Sequence, residues 1–207
     1  MAFGVALAVA TSVSLTACGE SSNRYVANKS ERVYLKIPRD WLDVPFSEDD
    51  IDRLEAQTSS VTLLWRAAAS SDPGAEPTGA DADFPLVFTA VYELDGQLNQ
   101  KMSASLARIA ASPTGFDPLI PDDQSQSDLV EVLDYNPLDF PDMSGTRVVF
   151  RSRASTGEDY SFVYDVSSAY DSQNFRLYVL QIGCNVQCYE NNNEAITKVA
   201  DSWLVKP

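Results

Sequence analysis

Hydrophobic and polar positions in the first half of the chain predict a series of short strands. Val33, Leu35 and Ile37 alternate with more polar neighbours, which is typical of a half-buried strand. Residues 60–69 form a second predicted strand. Residues 84–94 form a third, and their near-continuous apolar run indicates a central strand of a sheet, covered on both faces.

Three segments are predicted as helices by capping residues or by apolar residues at helical spacing. The first begins after Ser47, where Asp50 three positions later completes a capping box. The second places Met102, Leu106 and Ile109 on one helical face. The third is amphipathic and begins at a run of asparagines that are good N-caps. The predicted helices are residues 47–57, residues 100–112 and the segment from residue 191, and Val205 is assigned to a short final strand.

Four further strands follow one another closely in the second half of the chain, joined by short connections rich in turn residues. This spacing predicts an antiparallel meander. The four runs are residues 128–135, 145–153, 159–170 and 174–184. Because the helices are interspersed with these strands, they must pack on the sheet. The sequence therefore predicts an α+β fold, an antiparallel β-sheet with helices packed on its faces.

The charge balance and the absence of histidine exclude several classes of function. The net charge is −15 and the pI about 4.2, which argues against nucleic acid as a partner and against membrane docking through a basic patch. Without histidine the chain has no Ser-His-Asp triad, no Cys-His dyad and no histidine-ligated zinc. No glycine-rich phosphate loop is present, and we expect neither a cofactor nor a metal.

A lone cysteine follows an uncharged segment at the start of the chain. The apolar run within residues 3–15 is shorter than the ~20 residues that a membrane-spanning helix needs, and it suits an export signal. Leu15, Thr16 and Ala17 precede Cys18 and resemble the bacterial lipobox. That resemblance implies a diacylglyceryl group on the Cys18 thiol and cleavage before it. No Lys or Arg precedes the apolar run, which is a departure from the positive n-region of a typical signal peptide.

This interpretation divides the chain into three parts. Residues 1–17 are the predicted lipoprotein signal peptide, residues 18–31 a lipidated N-terminus with a flexible polar tether, and residues 32–207 a single α+β globular domain. A domain of that size buries roughly 70% of its unfolded surface in one core. Lipid on Cys18 would hold the domain at the extracytoplasmic face of the cell membrane, since two acyl chains anchor where one does not.

The other two cysteines lie close together, at Cys184 and Cys188. An exported domain meets an oxidising environment, where disulfides persist. We therefore favour a disulfide between them. Two free thiols and a metal or redox pair are the alternatives, but the spacing is not that of a thioredoxin motif and no further ligands complete a zinc site.

Clustered charges are the other candidates for chemistry. The acidic clusters are Asp49, Asp50 and Asp52; Asp81 and Asp83; and Asp122, Asp123 and Asp128. Oxygen-rich loops can bind calcium, but none of these clusters has the EF-hand spacing, and we favour a solvated acidic face. Two of the carboxylates could also form a glycosidase pair.

The arginines and tryptophans also admit two interpretations each. Arg147, Arg151 and Arg153 share one face of a predicted strand. We favour pairing with neighbouring carboxylates over a binding site for an anion. Packing in the core is favoured over a sugar-binding platform for the tryptophans, which are Trp41, Trp65 and Trp203.

The order of elements resembles a known family. An early strand runs into a Pro-x-x-Trp turn at Pro38–Trp41, and a central helix, a meander and a terminal helix ending in Ser202–Val205 follow. This arrangement is similar to the PsbP-like fold, which is shared by an extrinsic subunit of photosystem II, a Ran-binding nuclear import factor and many lipoproteins of actinobacteria. The resemblance implies an α/β/α sandwich that serves as a binding or accessory module, with no catalytic residue carried over.

Three functions are consistent with these observations. The favoured one is a membrane-anchored extracytoplasmic lipoprotein that binds a protein partner at the cell envelope without catalysis. The alternative is a carrier of a lipid or another apolar small molecule in a cavity between sheet and helix. A histidine-free hydrolase of wall polymers, with two convergent carboxylates, is the third.

Overall fold

The computed structural model describes residues 22–56, 61–77, 83–121, 124–153 and 160–206. The strands are β1 (Asn23–Asn28), β2 (Val33–Pro38), β3 (Leu42–Asp43), β4 (Val61–Ser70), β5 (Leu86–Leu94), β6 (Val130–Phe140), β7 (Met143–Arg153), β8 (Tyr160–Asp171), β9 (Arg176–Asn185) and β10 (Leu204–Val205). The helices are α1 (Glu48–Ala56), α2 (Gly96–Lys101), α3 (Ala104–Ala111), α4 (Gln124–Ser127) and α5 (Val186–Asp201).

Within the described ranges, the strands form two sheets with antiparallel pairing. The larger sheet has the order β3-β4-β5-β9-β8-β7-β6, and the smaller sheet has the order β1-β2-β10. Strands β6 to β9 are neighbours in sequence order, which confirms the predicted meander. Strand β5 lies inside the larger sheet and is buried along most of its length, as its apolar run predicted.

The larger sheet is covered on both faces. On one face lie the smaller sheet and α5, and the core between them includes Leu35, Leu180 and Ile196. On the other face lies α3, whose Ala111 belongs to the same core cluster as Phe150. The predicted α+β class, with helices on the faces of an antiparallel sheet, is confirmed. None of the helices in the described ranges is both long and apolar enough to cross a bilayer.

The smaller sheet begins inside the segment predicted as a tether. Residues 18–31 were expected to be flexible, but Asn23–Asn28 form β1 and pair with β2 along the whole strand. Val26 is the one large apolar residue of β1 that packs towards the core, so its sequence has too little apolar periodicity to indicate a strand. The folded part therefore starts earlier than residue 32. The predicted signal peptide, residues 1–17, lies outside the described residues.

The helix predicted at residues 100–112 is two helices. Ser103 begins α3 by accepting a hydrogen bond from the Leu106 amide at 3.2 Å, and this N-cap separates α3 from α2. The predicted apolar face is also wrong, because α3 buries Ala107, Arg108 and Ala111 and leaves Leu106 exposed.

Other boundaries differ where a capping residue or a turn decides them. Helix α5 starts at Val186, because the Asn185 side chain accepts a hydrogen bond from the Cys188 amide at 2.8 Å. Strand β6 continues to Phe140 and reverses through two residues, with Asp142 at a φ of 60°. The predicted capping box of α1 is confirmed, since Ser47 and Asp50 exchange hydrogen bonds at 2.9 and 3.2 Å.

Candidate functional site

The two C-terminal cysteines join the end of β9 to the first turn of α5. Cys184 and Cys188 form a disulfide with a Cα–Cα distance of 5.9 Å, which confirms the favoured prediction. Both residues are buried against the core shared by α5 and the smaller sheet. The bridge fixes the point where the chain turns from sheet to helix. Cys18, the predicted lipidation site, lies outside the described residues.

The arginine row of β7 is engaged with carboxylates. Arg147 donates to Asp165 on β8 through Nε and Nη2, at 2.8 and 2.5 Å. Its Nη1 donates to Asp201 on α5 at 2.6 Å. Arg151 lies 3.6 Å from Glu131. The interpretation as paired charges is confirmed for these two arginines, and the pairs connect β7 with its neighbours and with α5.

The Arg147–Asp165 pair lies in a buried place. Asp165 has no exposed surface, and this burial raises the pKa of its carboxyl group, while Arg147 opposes the increase. Burial also raises the pKa of the nearby Tyr189 to about 12. Because each charged atom of Arg147 and Asp165 has its partner in the fold, the cluster holds sheet and helix together and presents no unoccupied cation to a ligand.

A second buried ion pair was not predicted. Arg108 of α3 donates to both carboxylate oxygens of Asp117 at 2.8 and 2.7 Å, and Ser105 donates to the same carboxylate at 2.7 Å. Burial alone would raise the pKa of Asp117, but these hydrogen bonds and the Leu119 amide outweigh it and hold the pKa below its usual value. The pair ties the loop after α3 to the helix. Apolar periodicity does not indicate this pair, because a charged residue such as Arg108 is expected on the surface of a helix.

The predicted acidic clusters are spread over separate places. Asp50 serves in the capping box of α1, and Asp83 accepts a hydrogen bond from Asn185 at 2.6 Å. The side chains of Asp52, Asp81, Asp122 and Asp123 are outside what the structure describes. Among the side chains it does describe, no three potential metal ligands converge.

The described grooves are open to solvent and are lined about equally by polar and apolar surface. One of about 850 Å³ lies between α5 and the end of β2, and its lining includes Lys36, Asp40, Glu194 and Ser202. A second of about 450 Å³ lies beside α1. Between the two sheets, where Leu35 and Ile37 face Val87, the packing leaves no room for a water molecule.

The tryptophans belong to the core. Trp41 and Trp203 are buried, and Trp65 packs against the same cluster. The Trp203 ring meets the Phe140 ring edge to face, with centroids 5.7 Å apart. This confirms the interpretation as packing residues.

The outermost strand of the larger sheet presents an exposed apolar row. Strand β6 has β7 as its neighbour on one side and no described strand on the other. A bulge at Leu133 interrupts the pairing, so that Val132, Leu133 and Tyr135 are all exposed, by 39%, 42% and 44%. Single exposed apolar residues are ordinary, whereas here three lie within four positions of one strand. We call these three residues the β6 row.

Acidic groups surround the β6 row and limit how it could be used. Glu131, Asp134 and Asp139 of the same strand are exposed. Asp134 accepts a hydrogen bond from the Tyr135 amide at 2.9 Å, and Pro137 has no amide hydrogen to offer. These features blunt the strand edge against the addition of another strand. The row is therefore suited to contact through its side chains.

Comparison with known proteins identifies the fold. Neither a protein-family model nor a curated protein sequence matches the chain. The solution structure of cyanobacterial PsbP (CyanoP) from Synechocystis is similar with a TM-score of 0.54 at 13% sequence identity, and the match covers 92% of this chain and 98% of that one.

Two further structures are similar over most of the chain. LpqN of Mycobacterium tuberculosis, described as involved in cell envelope biogenesis, gives a TM-score of 0.47 at 13% identity, covering 84% of this chain and 83% of LpqN. The Ran-binding protein Mog1p of Saccharomyces cerevisiae gives 0.46 at 11% identity, covering 88% of this chain and 95% of Mog1p. With the likeness to CyanoP, the element order and the two-sided covering of the larger sheet establish that the chain has the PsbP-like fold.

Proposed function

We propose that this protein is an extracytoplasmic lipoprotein, anchored in the cell membrane through Cys18, which binds a protein partner of the envelope without catalysis. The lipobox-like residues before Cys18 support the anchor. The disulfide between Cys184 and Cys188 supports an oxidising compartment, because such bridges persist outside the cytoplasm.

The β6 row is the observation that carries the binding function. Apolar side chains at the edge of a sheet lower the free energy when a partner covers them, at roughly 25 cal/mol per Å² of apolar surface removed from water. The acidic groups around the row would favour a partner with basic residues around an apolar patch, since complementary charges orient the encounter. The described grooves are open to solvent and about half polar, so they offer less support to an apolar carrier function than an enclosed apolar cavity would.

Site-specific crosslinking tests the binding function. A photoreactive amino acid placed at Leu133 in the natively expressed, membrane-bound protein is expected to capture one envelope protein. Leu42 provides a matched control, because it is 50% exposed and lies on β3 at the opposite edge of the sheet. The proposal requires that Tyr135→Asp, at a second residue of the β6 row, abolish recovery of the protein captured through position 133. Capture of lipid alone at position 133, or equal capture from both positions, would reject it, and lipid alone would favour the carrier.

The anchor is tested separately by intact-mass analysis of the natively expressed protein. Cleavage before Cys18 and an acyl adduct on that residue are expected. Cys18→Ser should release the protein from the membrane fraction. A product that keeps residues 1–17 and has no acyl adduct would contradict the anchor. It would not affect the binding function, which the crosslinking experiment tests separately.

A further inference from the structure

The smaller sheet has an outward face that combines aromatic and basic side chains. Tyr25 of β1 lies opposite Lys36 of β2, and Tyr34 lies opposite Leu204 of β10, so these four side chains share one face. Lys206 follows β10 and places its Nζ 5.0 Å from the centre of the Tyr34 ring. We call these five residues the outer face of the smaller sheet.

This face is exposed, whereas the other side of the same sheet is buried. Tyr25 is 68% exposed and Leu204 42%. The Lys36 side chain is exposed too, and its Nζ lies 5.6 Å from the centre of the Tyr25 ring. The alternating residues Val33, Leu35 and Ile37 are fully enclosed in the core. Lys36 therefore lies over Tyr25 and Lys206 over Tyr34. The face exposes apolar side-chain surface and two ammonium groups side by side.

The charge of the protein is unevenly distributed around this face. Residues 22–39 contain five Lys or Arg and one acidic residue, whereas all other residues together contain 10 Lys or Arg and 29 acidic residues. The acidic residue of the segment, Glu31, lies 3.5 Å from Arg176, and Arg24 of the same segment is paired with Asp43 at 2.6 Å. Basic residues are therefore concentrated in this segment of an otherwise acidic chain.

We propose that the outer face of the smaller sheet lies against an anionic bilayer surface. Lys36 and Lys206 would meet lipid phosphates, while Tyr25 and Leu204 would enter the headgroup region, where tyrosine is favoured because it has both an apolar ring and a polar hydroxyl. Each basic residue near an anionic leaflet favours binding about five-fold. Asp40, Glu194 and Asp201 line the groove beside Lys36, so they oppose this attraction on that side of the face.

The short distance along the chain between Cys18 and the smaller sheet agrees with this orientation. Cys18 precedes Ser22, the first described residue, by four positions, which span at most ~14 Å when extended. A lipid on Cys18 would thus keep β1 within reach of the headgroups. This one step rests on the proposed anchor, and the argument from charge and exposure does not.

Vesicle binding tests the inference without the anchor. The full chain carrying Cys18→Ser is sedimented with vesicles of phosphatidylcholine, alone or with one third phosphatidylglycerol, in low salt and in 0.5 M salt. The protein is expected to prefer the anionic vesicles in low salt and to lose that preference in high salt. Any contribution of residues 1–17 is common to all variants and to both lipid mixtures.

Charge reversals on and off the face decide the result. Lys36→Glu and Lys206→Glu are each expected to weaken binding to anionic vesicles at least about five-fold. Lys101→Glu is the matched control, because Lys101 is an exposed lysine of α2 on the opposite layer, and it should leave binding within two-fold. Tyr25→Ser should weaken binding with no change in charge. Far-UV circular dichroism confirms that each variant is folded, and two lysine variants keep the test valid if one is not.

Three outcomes would overturn the inference. These are equal binding to both vesicle compositions, equal loss in Lys36→Glu and Lys101→Glu, or equally strong competition by a short DNA duplex, which would indicate a general polyanion surface. Because Cys18 is replaced throughout, such a failure would leave the proposed lipid anchor untouched. Conversely, loss of the acyl adduct in the mass experiment would not affect vesicle binding by this face.

Discussion

Gly183 of β9 lies directly opposite Tyr164 of β8, and the tyrosine ring occupies the space that a side chain at position 183 would need. A Cβ built on Gly183 would stand 2.7 Å from the ring carbon Cδ1 of Tyr164. We expect Gly183→Ala to lower the free energy of unfolding by about 1–3 kcal/mol, because the ring must leave its place beside Phe150. Urea denaturation measures the change.

Gly96→Ala provides the control for this substitution. Gly96 is the first residue of α2, and a Cβ there meets no atom within 4 Å. The variant should be as stable as the wild type or slightly more stable, since alanine loses less backbone entropy. Similar losses at positions 183 and 96 would show that the contact with Tyr164 is not the cause.

The buried ion pair gives a second prediction. Arg147→Met leaves the Asp165 carboxylate without its partner in a place with no exposed surface, and we expect a loss of about 3–5 kcal/mol in the free energy of unfolding. Asp201→Asn removes a contact to the same arginine, but Asp201 is 61% exposed, so the loss should stay below about 1 kcal/mol. Equal effects of the two substitutions in denaturant unfolding would contradict this ranking.

Buried tyrosines predict a loss of stability at alkaline pH. The pKa of Tyr189 is about 12 in the folded protein because of burial, against an ordinary value of 10.0. Above pH 10 the unfolded tyrosine releases its proton while the folded one keeps it, so stability falls as the pH rises towards 12. The contribution of one such residue is at most about 1.4 kcal/mol per pH unit.

Tyr189→Phe should therefore make the alkaline decrease in stability shallower and change little near pH 8. Denaturant unfolding at pH 8, 10 and 11 measures the slope. Tyr25→Phe, at an exposed position, is the matched control and should leave the slope as in the wild type. An unchanged slope in Tyr189→Phe would contradict the assignment.

The disulfide gives a fourth prediction. Replacing both Cys184 and Cys188 by alanine removes a bridge that closes a loop of only a few residues. Because so short a loop restricts the unfolded chain only slightly, we expect the free energy of unfolding to fall by about 2 kcal/mol. A reducing agent should lower the melting temperature of the wild type and leave that of the double variant unchanged. If reduction lowered both equally, the bridge would not be the stabilising element.

The sequence predicted the meander and the central strand β5 well, because both have long apolar runs. It failed for β1, where a single inward Val26 gives no periodicity and pairing with β2 supplies the stability instead. It also chose the wrong face of α3. The pattern placed Leu106 inside, whereas the structure exposes Leu106 and buries Arg108, whose charge Asp117 neutralises.

The candidate site also has features that the sequence could predict and features that it could not. The pairing of Arg147 with carboxylates and the disulfide followed from residue types and were predictable. The aromatic and basic outer face was not, because Leu204 and Lys206 join Tyr34 from a position about 170 residues later in the chain. A net charge summed over the sequence also does not show where along the chain the charges lie.

The pairing of β10 with β2 sets an order of assembly. Lys206 donates its backbone amide to the Arg32 carbonyl at 3.0 Å, so this edge of β2 is covered by residues about 170 positions later in the chain. While the chain folds, the hydrogen-bonding groups on this edge of β2 lack their partners until this long-range contact forms. Helix α5 and β10 would then close the molecule in one late step, which makes premature truncation more harmful than the small size of β10 suggests.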